Sequence, residues 1–213
     1  MKTIINIIIL LFIAGFPATE GLLRKDPEMP ASERNKRDLV QRIYTAEIGV
    51  RERTGKNDGW RVEECLRYVN LKKGDPWCAA FVCWVFGKAG IENPRTGWSP
   101  GLFPKSRVCW RRMGMGSVKY AVQKSKPAYT PQQGDVFGIW FPDKQRIAHV
   151  GLIDRWEDTW VTTVEGNTNE AGSREGDGVY QKRRLTRSVW KVARWIKEPE
   201  TNEKEGRIIW KHS

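Results

Sequence analysis

The feature that most constrains the fold is a change in the spacing of apolar residues along the chain. From Asp38 to Ile48 the apolar residues recur at helical spacing, and helix-like segments continue until about Gly90. From Asp135 onward, short segments rich in valine, isoleucine, threonine and aromatic residues are each bounded by a turn, which is typical of strands. Helices followed by hairpin-linked strands predict an α+β domain, with N-terminal helices packed on a C-terminal antiparallel sheet.

The third predicted helix has the sharpest start signal in the chain, the segment Gly74-Asp75-Pro76-Trp77-Cys78. Asp75 can accept a hydrogen bond from the N–H groups just beyond it, and Pro76 suits the first helical position because it has no N–H to leave unsatisfied. This pattern places Cys78 in the first turn of a helix. The second helix is predicted around residues 62–69.

The predicted strands cover residues 135–141, 147–154, 160–165, 179–184 and 189–196. Glycine, proline, arginine and serine dominate residues 92–117, which are predicted to form an irregular connection able to wall a cleft. We therefore divide the chain into residues 1–21, a flexible lead-in at 22–35, a domain at 36–197 and a charged tail at 198–213.

The N-terminus resembles a secretion signal. Lys2 precedes an apolar run from Ile4 to Phe16, and small and turn-forming residues follow at 17–21. The run is shorter than the roughly 20 residues that a membrane-spanning helix needs. We expect residues 1–21 to be a signal peptide, so that the protein is exported to the periplasm or the extracellular space without stable membrane insertion; the alternative is an uncleaved anchor.

The chain is strongly basic, with a formal net charge of +12. Such a charge can attract nucleic acid, but predicted export and the spread of lysine and arginine along the chain argue against that partner. An anionic envelope polymer or membrane surface fits better, and a merely solvated basic surface is the alternative.

The four cysteines, Cys65, Cys78, Cys83 and Cys109, match no small disulfide scaffold and contain no Cys-x-x-Cys pair. Histidine occurs only twice in the sequence, so a metal site is not predicted. The pattern leaves the disulfide state of Cys65, Cys83 and Cys109 open.

Cys78 is the candidate nucleophile. A reactive cysteine must be a thiolate, and the partial positive charge at a helix start lowers the pKa of a thiol there. Cys83 lies further inside the same apolar helix, and the interpretation as a small buried hydrophobe fits it better than it fits Cys78.

His149 is the candidate base, since it is the one histidine inside the predicted domain. A lone histidine in a strand is more often structural. If the hairpin is symmetric about residue 157, however, His149 lies directly opposite Glu165, with Asn167 on the same face. Either residue could orient the imidazole as the third group of a nucleophilic hydrolase, although a slip of one residue would remove both.

Four segments in this order resemble the CHAP domain (cysteine, histidine-dependent amidohydrolase/peptidase) family of peptidoglycan hydrolases, in the papain-like group. They are Pro76-Trp77-Cys78-Ala79-Ala80-Phe81, Gln133-Gly134-Asp135-Val136, Ala148-His149-Val150-Gly151 and Glu165-Gly166-Asn167-Thr168. The resemblance covers roughly residues 36–197. It implies a helix presenting Cys78 against a sheet that carries His149, with Glu165 and Asn167 as orienting positions. The family pattern does not decide which of the two bonds to His149, and we slightly favour Glu165.

The resemblance also implies a cysteine hydrolase that cleaves amide bonds of peptidoglycan by acyl transfer, without a metal or organic cofactor. Residues 169–176 could form a substrate lip or a plain surface loop. Two other functions stay open: a wall-binding module of the same fold without turnover, and a papain-like protease acting on proteins. The bond cut, the origin of the wall and the oligomeric state are not predicted.

Overall fold

A computed structural model describes residues 29–112, 129–172 and 175–197 of the chain. The predicted signal peptide and the charged tail lie outside these residues. Three helices occupy the N-terminal part of the described chain: α1 (Ala31–Ala46), α2 (Trp60–Tyr68) and α3 (Cys78–Lys88). A 3₁₀ turn follows at Ser99–Leu102.

The strands form one antiparallel sheet in the order β1-β6-β2-β3-β4-β5 within the described residues. Their bounds are β1 (Val108–Arg111), β2 (Val136–Phe141), β3 (Arg146–Trp156), β4 (Trp160–Thr168), β5 (Gly178–Leu185) and β6 (Lys191–Ala193). The predicted α+β class is confirmed. β1 was not predicted, because four residues at a sheet edge carry too little alternation to stand out from the surrounding loop.

α3 is the central helix of the domain. Its residues from Cys78 to Phe86 are all buried, as expected for a helix that is apolar on every side. Gly166 in β4 allows the close approach of this helix, since a Cβ atom there would lie 2.8 Å from Phe81 and 2.8 Å from the Trp77 ring. The N-terminal end of α3 therefore packs directly against the sheet.

The start of α3 differs from the prediction in its capping residues. The helix begins at Cys78, with Trp77 rather than Asp75 in the cap position. The Asp75 carboxylate instead accepts a 2.9 Å hydrogen bond from the backbone N–H of Lys72, which closes the preceding turn. Cys78 nevertheless lies in the first turn, as predicted.

α1 begins before the predicted domain start near residue 36, because its first turn is tied to the sheet. Glu33 is buried and accepts a 2.9 Å hydrogen bond from Arg37. Arg37 also lies 3.1 Å from the buried carboxylate of Asp135, at the entry to β2. Asp135, in one of the four segments of the resemblance, thus has a structural position away from the candidate nucleophile.

No helix within residues 29–112, 129–172 and 175–197 is long and apolar enough to cross a membrane.

Candidate active site

The fold brings Cys78, His149 and Glu165 together. Cys78 is the first residue of α3, His149 lies in β3 and Glu165 in β4, and the three side chains are buried. The contact is possible because α3 packs its N-terminal end against the middle of these two strands. Three of the four predicted site residues are therefore brought together by one helix and one hairpin.

Glu165 contacts His149 diagonally across the two strands, whereas the predicted register placed the two residues directly opposite each other. Nε2 of His149 lies 2.7 Å from Oε2 of Glu165. Leu152 pairs with Val164 and Ile153 with Thr163, so continuing this register puts Gly151, not His149, opposite Glu165. The displacement is two residues along β3, which preserves the face because side chains alternate with a period of two.

Gly151 makes this diagonal contact possible. A Cβ atom at position 151 would lie 2.8 Å from Cγ of Glu165 and 2.9 Å from the backbone oxygen of Val164. Without a side chain there, Glu165 lies across the strand and extends to the imidazole. The glycine in the Ala148-His149-Val150-Gly151 segment thus has a direct role in positioning the carboxylate.

Glu165 is itself held by residues that the sequence did not single out. Arg184 in β5 donates two hydrogen bonds of 2.6 Å, one to each carboxylate oxygen, and Thr163 donates a third of 2.5 Å. Burial alone would raise the pKa of Glu165, but Arg184 and His149 outweigh it and lower the pKa to about 2. Glu165 is therefore a fixed anion behind the histidine.

The carboxylate defines which nitrogen of His149 handles the proton. Because Nε2 donates to Glu165, Nδ1 is left for the thiol, and Nδ1 has no conventional hydrogen-bond partner in the described residues. Burial alone would lower the pKa of His149, but its interactions with Cys78 and Glu165 raise the pKa to about 9. The imidazole is thus favoured in its protonated form.

The pKa of the Cys78 thiol is shifted in the opposite direction to that of His149. Burial alone would raise its pKa, but interactions with the imidazole of His149, the hydroxyl of Ser99 and the backbone of Val150 lower it. Sγ of Cys78 lies 3.7 Å from Oγ of Ser99. A lowered thiol pKa beside a raised imidazole pKa favours a thiolate–imidazolium pair, the reactive form of a nucleophilic cysteine.

The environments of the other three cysteines raise the pKa of the thiol instead of lowering it. Burial raises the pKa of Cys83 to about 11 and that of Cys109 to about 12, and it also raises the pKa of Cys65. All four cysteines are free thiols in the structure. Cys78 is the one cysteine of the chain whose surroundings favour the thiolate.

Asn167 does not act on the histidine in the described structure. It is buried, has a left-handed backbone with φ of 54°, and neither polar atom of its amide has a hydrogen-bond partner in the described residues. Asn167 lines the same cleft as Cys78. Of the two predicted orienting residues, Glu165 contacts the imidazole, and Asn167 lines the cleft without a hydrogen bond to His149.

The comparison with protein families gives a match that spans this site. A sequence model of the CHAP domain matches residues 70–167, a range that contains Cys78, His149, Glu165 and Asn167. Over these residues the chain is similar to CHAP domains. CHAP domains are in general hydrolases of the amidase or peptidase type with peptidoglycan as substrate. No curated protein and no solved structure matches the chain significantly.

The domain opens to solvent through a cleft of about 500 Å³ beside Cys78. The segment 95–99, within the connection that was predicted to be irregular, forms part of its wall, and Arg146, Ala148 and Asn167 also line it. Ser99, which contacts the thiol, belongs to this wall. Its role could not be predicted because no local pattern sets a loop serine next to a distant cysteine.

The predicted substrate lip at residues 169–176 borders a second cavity. Its described part lines a separate cavity of about 690 Å³ together with Glu52 and Tyr180. Arg184 and Lys182 of β5 bond to backbone oxygens of this loop, those of Gly172 and Glu170. These contacts fasten the loop to the β5 side of the sheet, and Pro76 lines both this cavity and the cleft that holds Cys78.

Replacement of Glu165 by glutamine should lower both the stability of the domain and the pKa of His149. The substitution removes the anion between Arg184 and His149, and breaking a buried ion pair in this way costs roughly 3 kcal/mol. Denaturant unfolding at neutral pH measures the first effect, and NMR titration of His149 measures the second.

Asn167→Ala is the matched comparison for this prediction. Asn167 is equally buried and lies two residues away, but it makes no hydrogen bond to His149, so its replacement should leave the pKa of His149 in place. Equal shifts of the His149 pKa in both variants would show that Glu165 is not the group that supports the imidazolium.

Proposed function

We propose that this CHAP-like domain is a cysteine hydrolase that cleaves amide bonds of peptidoglycan, with Cys78 as nucleophile and His149 as acid and base. The observation that carries the proposal is the coupling of Cys78, at the start of α3, to a histidine whose other nitrogen is held by the buried anion Glu165. This is the arrangement that acyl transfer requires.

In the first half of the reaction, the Cys78 thiolate attacks the amide carbon and a tetrahedral oxyanion forms. The backbone N–H of Cys78 is the proposed donor to that oxyanion, because the first N–H groups of a helix have no intrahelical partner. The His149 imidazolium then gives its proton to the departing amine. The carbon–nitrogen bond breaks and a thioester to Cys78 remains.

In the second half, His149 is neutral and takes a proton from water, which attacks the thioester. The carboxylic acid leaves, and Cys78 and His149 return to the ion pair. Glu165 stabilises the positive imidazole whenever it forms, and Arg184 and Thr163 keep Glu165 in position. No step of this sequence needs a metal or organic cofactor.

Digestion of purified peptidoglycan beside a denatured protein tests the proposal against its alternatives. A peptidoglycan hydrolase should release soluble wall fragments and leave the protein intact, and the Cys78→Ala variant should leave both the walls and the protein intact. A wall-binding module would sediment with peptidoglycan without releasing fragments, and a general protease would degrade the protein. Either of those outcomes would refute the proposed function.

Mass spectrometry of the released fragments identifies the bond. Cleavage of the N-acetylmuramoyl-L-alanine bond frees an alanine amino group and peptide-free sugar chains. Endopeptidase activity instead leaves part of the stem peptide on the sugar. Both products are compatible with the proposed acyl transfer, since each bond is an amide.

Export completes the proposed function, because peptidoglycan lies outside the cytoplasm. The apolar run from Ile4 to Phe16 supports it, and the basic surface would favour an anionic envelope. N-terminal sequencing of the protein recovered outside the cytoplasm should give a start near residue 21, whereas recovery of Met1 from a membrane fraction would indicate an anchor.

A further inference from the structure

Arg146, at the start of β3, is partly buried in the wall of the Cys78 cleft and lacks a carboxylate partner in the described residues. This sets it apart, because every other buried or partly buried arginine of the described chain has one within 3.5 Å. These pairs are Arg37 with Glu33 and Asp135, Arg61 with Glu47 and Glu64, Arg107 with Glu92, Arg184 with Glu165, and Arg194 with Glu33. Arg146 is thus a partly desolvated cation whose counter-ion is missing.

The guanidinium of Arg146 is held in place by neighbours that leave its charge uncompensated. Its Cζ atom lies 4.2 Å from the centre of the Trp98 ring, and Nη1 donates a 3.1 Å hydrogen bond to the backbone oxygen of Ile147. A guanidinium has five N–H donors, so most of them remain for a ligand. Stacking on Trp98 fixes the plane of the fork before the ligand arrives.

A second arginine of the cleft lining adds positive charge. Arg95 lines the cleft as well, stacks over Tyr68 at 4.9 Å and has no carboxylate partner in the described residues. The one acidic residue of the cleft lining, Asp75, uses Oδ2 to accept from the Lys72 backbone and forms no ion pair with either arginine in the described structure. The cleft beside the nucleophile therefore suits an anion.

We propose that Arg146, stacked on Trp98 and assisted by Arg95, binds a free carboxylate of the substrate beside the amide bond that Cys78 attacks. The inference rests on the proposed function, since it names the part of peptidoglycan that the cleft selects: a stem peptide with an unmodified carboxylate rather than its carboxamide. A planar carboxylate matches the guanidinium fork with two parallel hydrogen bonds. A carboxamide supplies one acceptor oxygen and no charge.

Peptide binding to the Cys78→Ala protein, which lacks the nucleophile, tests this recognition separately from hydrolysis. A synthetic stem peptide with free carboxylates and the same peptide with those carboxylates amidated are compared by titration calorimetry. A charge-assisted bidentate contact corresponds to roughly 10- to 100-fold in affinity. We expect the free-carboxylate peptide to bind tighter by that factor.

The Arg146→Gln substitution in the same background should abolish the difference between the two peptides. Arg146→Lys keeps the charge but loses the fork, so part of the difference should remain. Arg183→Gln is the matched control, because Arg183 also stacks on a tryptophan, with Cζ 4.5 Å from the Trp160 ring centre, but lines a different cavity. It should retain the full preference for the free carboxylate.

Equal binding of the two peptides, or a preference that survives Arg146→Gln, would overturn the inference. Failure to bind either peptide would overturn it too. Hydrolysis of peptidoglycan by the unmodified protein is measured separately. Hydrolysis without discrimination refutes only the carboxylate subsite, and discrimination without hydrolysis refutes only the proposed function.

Discussion

Replacing Cys78 by alanine should abolish the release of fragments from peptidoglycan. The side chain supplies the atom that forms the acyl-enzyme, and Cys78 is the one cysteine in the cleft lining. Removal of a catalytic nucleophile costs on the order of 10⁶-fold in rate. Loss of turbidity of suspended walls, followed over hours, detects residual activity well below that of the unmodified protein.

The remaining cysteines provide controls in the same chain. Cys65→Ala, Cys83→Ala and Cys109→Ala should retain activity, because burial raises the pKa of each of these thiols and the cleft lining does not include them. Thermal unfolding of each variant separates loss of the nucleophile from loss of the fold. A folded Cys78→Ala protein with full activity would contradict the assignment.

The parts of this domain that were predictable from sequence are those set by local chemistry. The change from helical to strand spacing predicted the α+β class, and the segment ending at Cys78 predicted a helix start. The prediction of Asp75 as the cap was wrong because a competing local partner, the Lys72 N–H, takes that carboxylate. Several good partners for one side chain can occur within a few residues, and sequence spacing alone does not rank them.

The cross-strand register could not be predicted correctly by assuming a symmetric hairpin. The chain turns between Trp156 and Val161, and a β-bulge between Ile153 and Arg155 shifts the pairing. Such a bulge leaves no reliable signal in a single sequence. The predicted contact survived because a displacement of two residues keeps His149 and Glu165 on one face, and because Gly151 leaves room for the diagonal.

Arg184 and Ser99 could not have been found in this way, since their roles depend on tertiary placement. Arg184 pairs with Val161, so it shares a face with Thr163 and Glu165 once the β4–β5 register is known. That register alone would have indicated the arginine. For Ser99, only the packing of the 95–99 wall against the start of α3 places the hydroxyl near Cys78.

Replacing His149 by alanine should reduce the rate by roughly 10²- to 10⁴-fold, the usual contribution of a general acid–base group. The same change should raise the pH at which Cys78 becomes reactive. In the unmodified protein the imidazolium favours the thiolate, so alkylation by iodoacetamide should begin well below the pKa of an ordinary thiol, about 8.5. Without His149, burial still disfavours the thiolate, and the opposing interaction with the ring is lost.

The pH dependence of hydrolysis should follow the protonation states of Cys78 and His149. The ion pair exists above the lowered pKa of Cys78 and below the pKa of His149, about 9. Activity should therefore fall toward acid as the thiolate is protonated, and toward base near pH 9 as the imidazolium loses the proton that the leaving amine needs. In Glu165→Gln the basic limb should move to lower pH, because the anion that helps to raise the pKa of His149 is gone.

Alkylation and hydrolysis together separate a catalytic pair from two neighbouring buried side chains. Alkylation reports the thiolate without any substrate, and mass spectrometry of the labelled peptides assigns it to Cys78 rather than to Cys83 or Cys109. If the two residues are coupled, His149→Ala shifts the alkylation profile upward and removes the basic limb of hydrolysis. An alkylation profile identical in the unmodified protein and in His149→Ala would show that the imidazole does not stabilise the thiolate, and the proposed catalytic pair would have to be withdrawn.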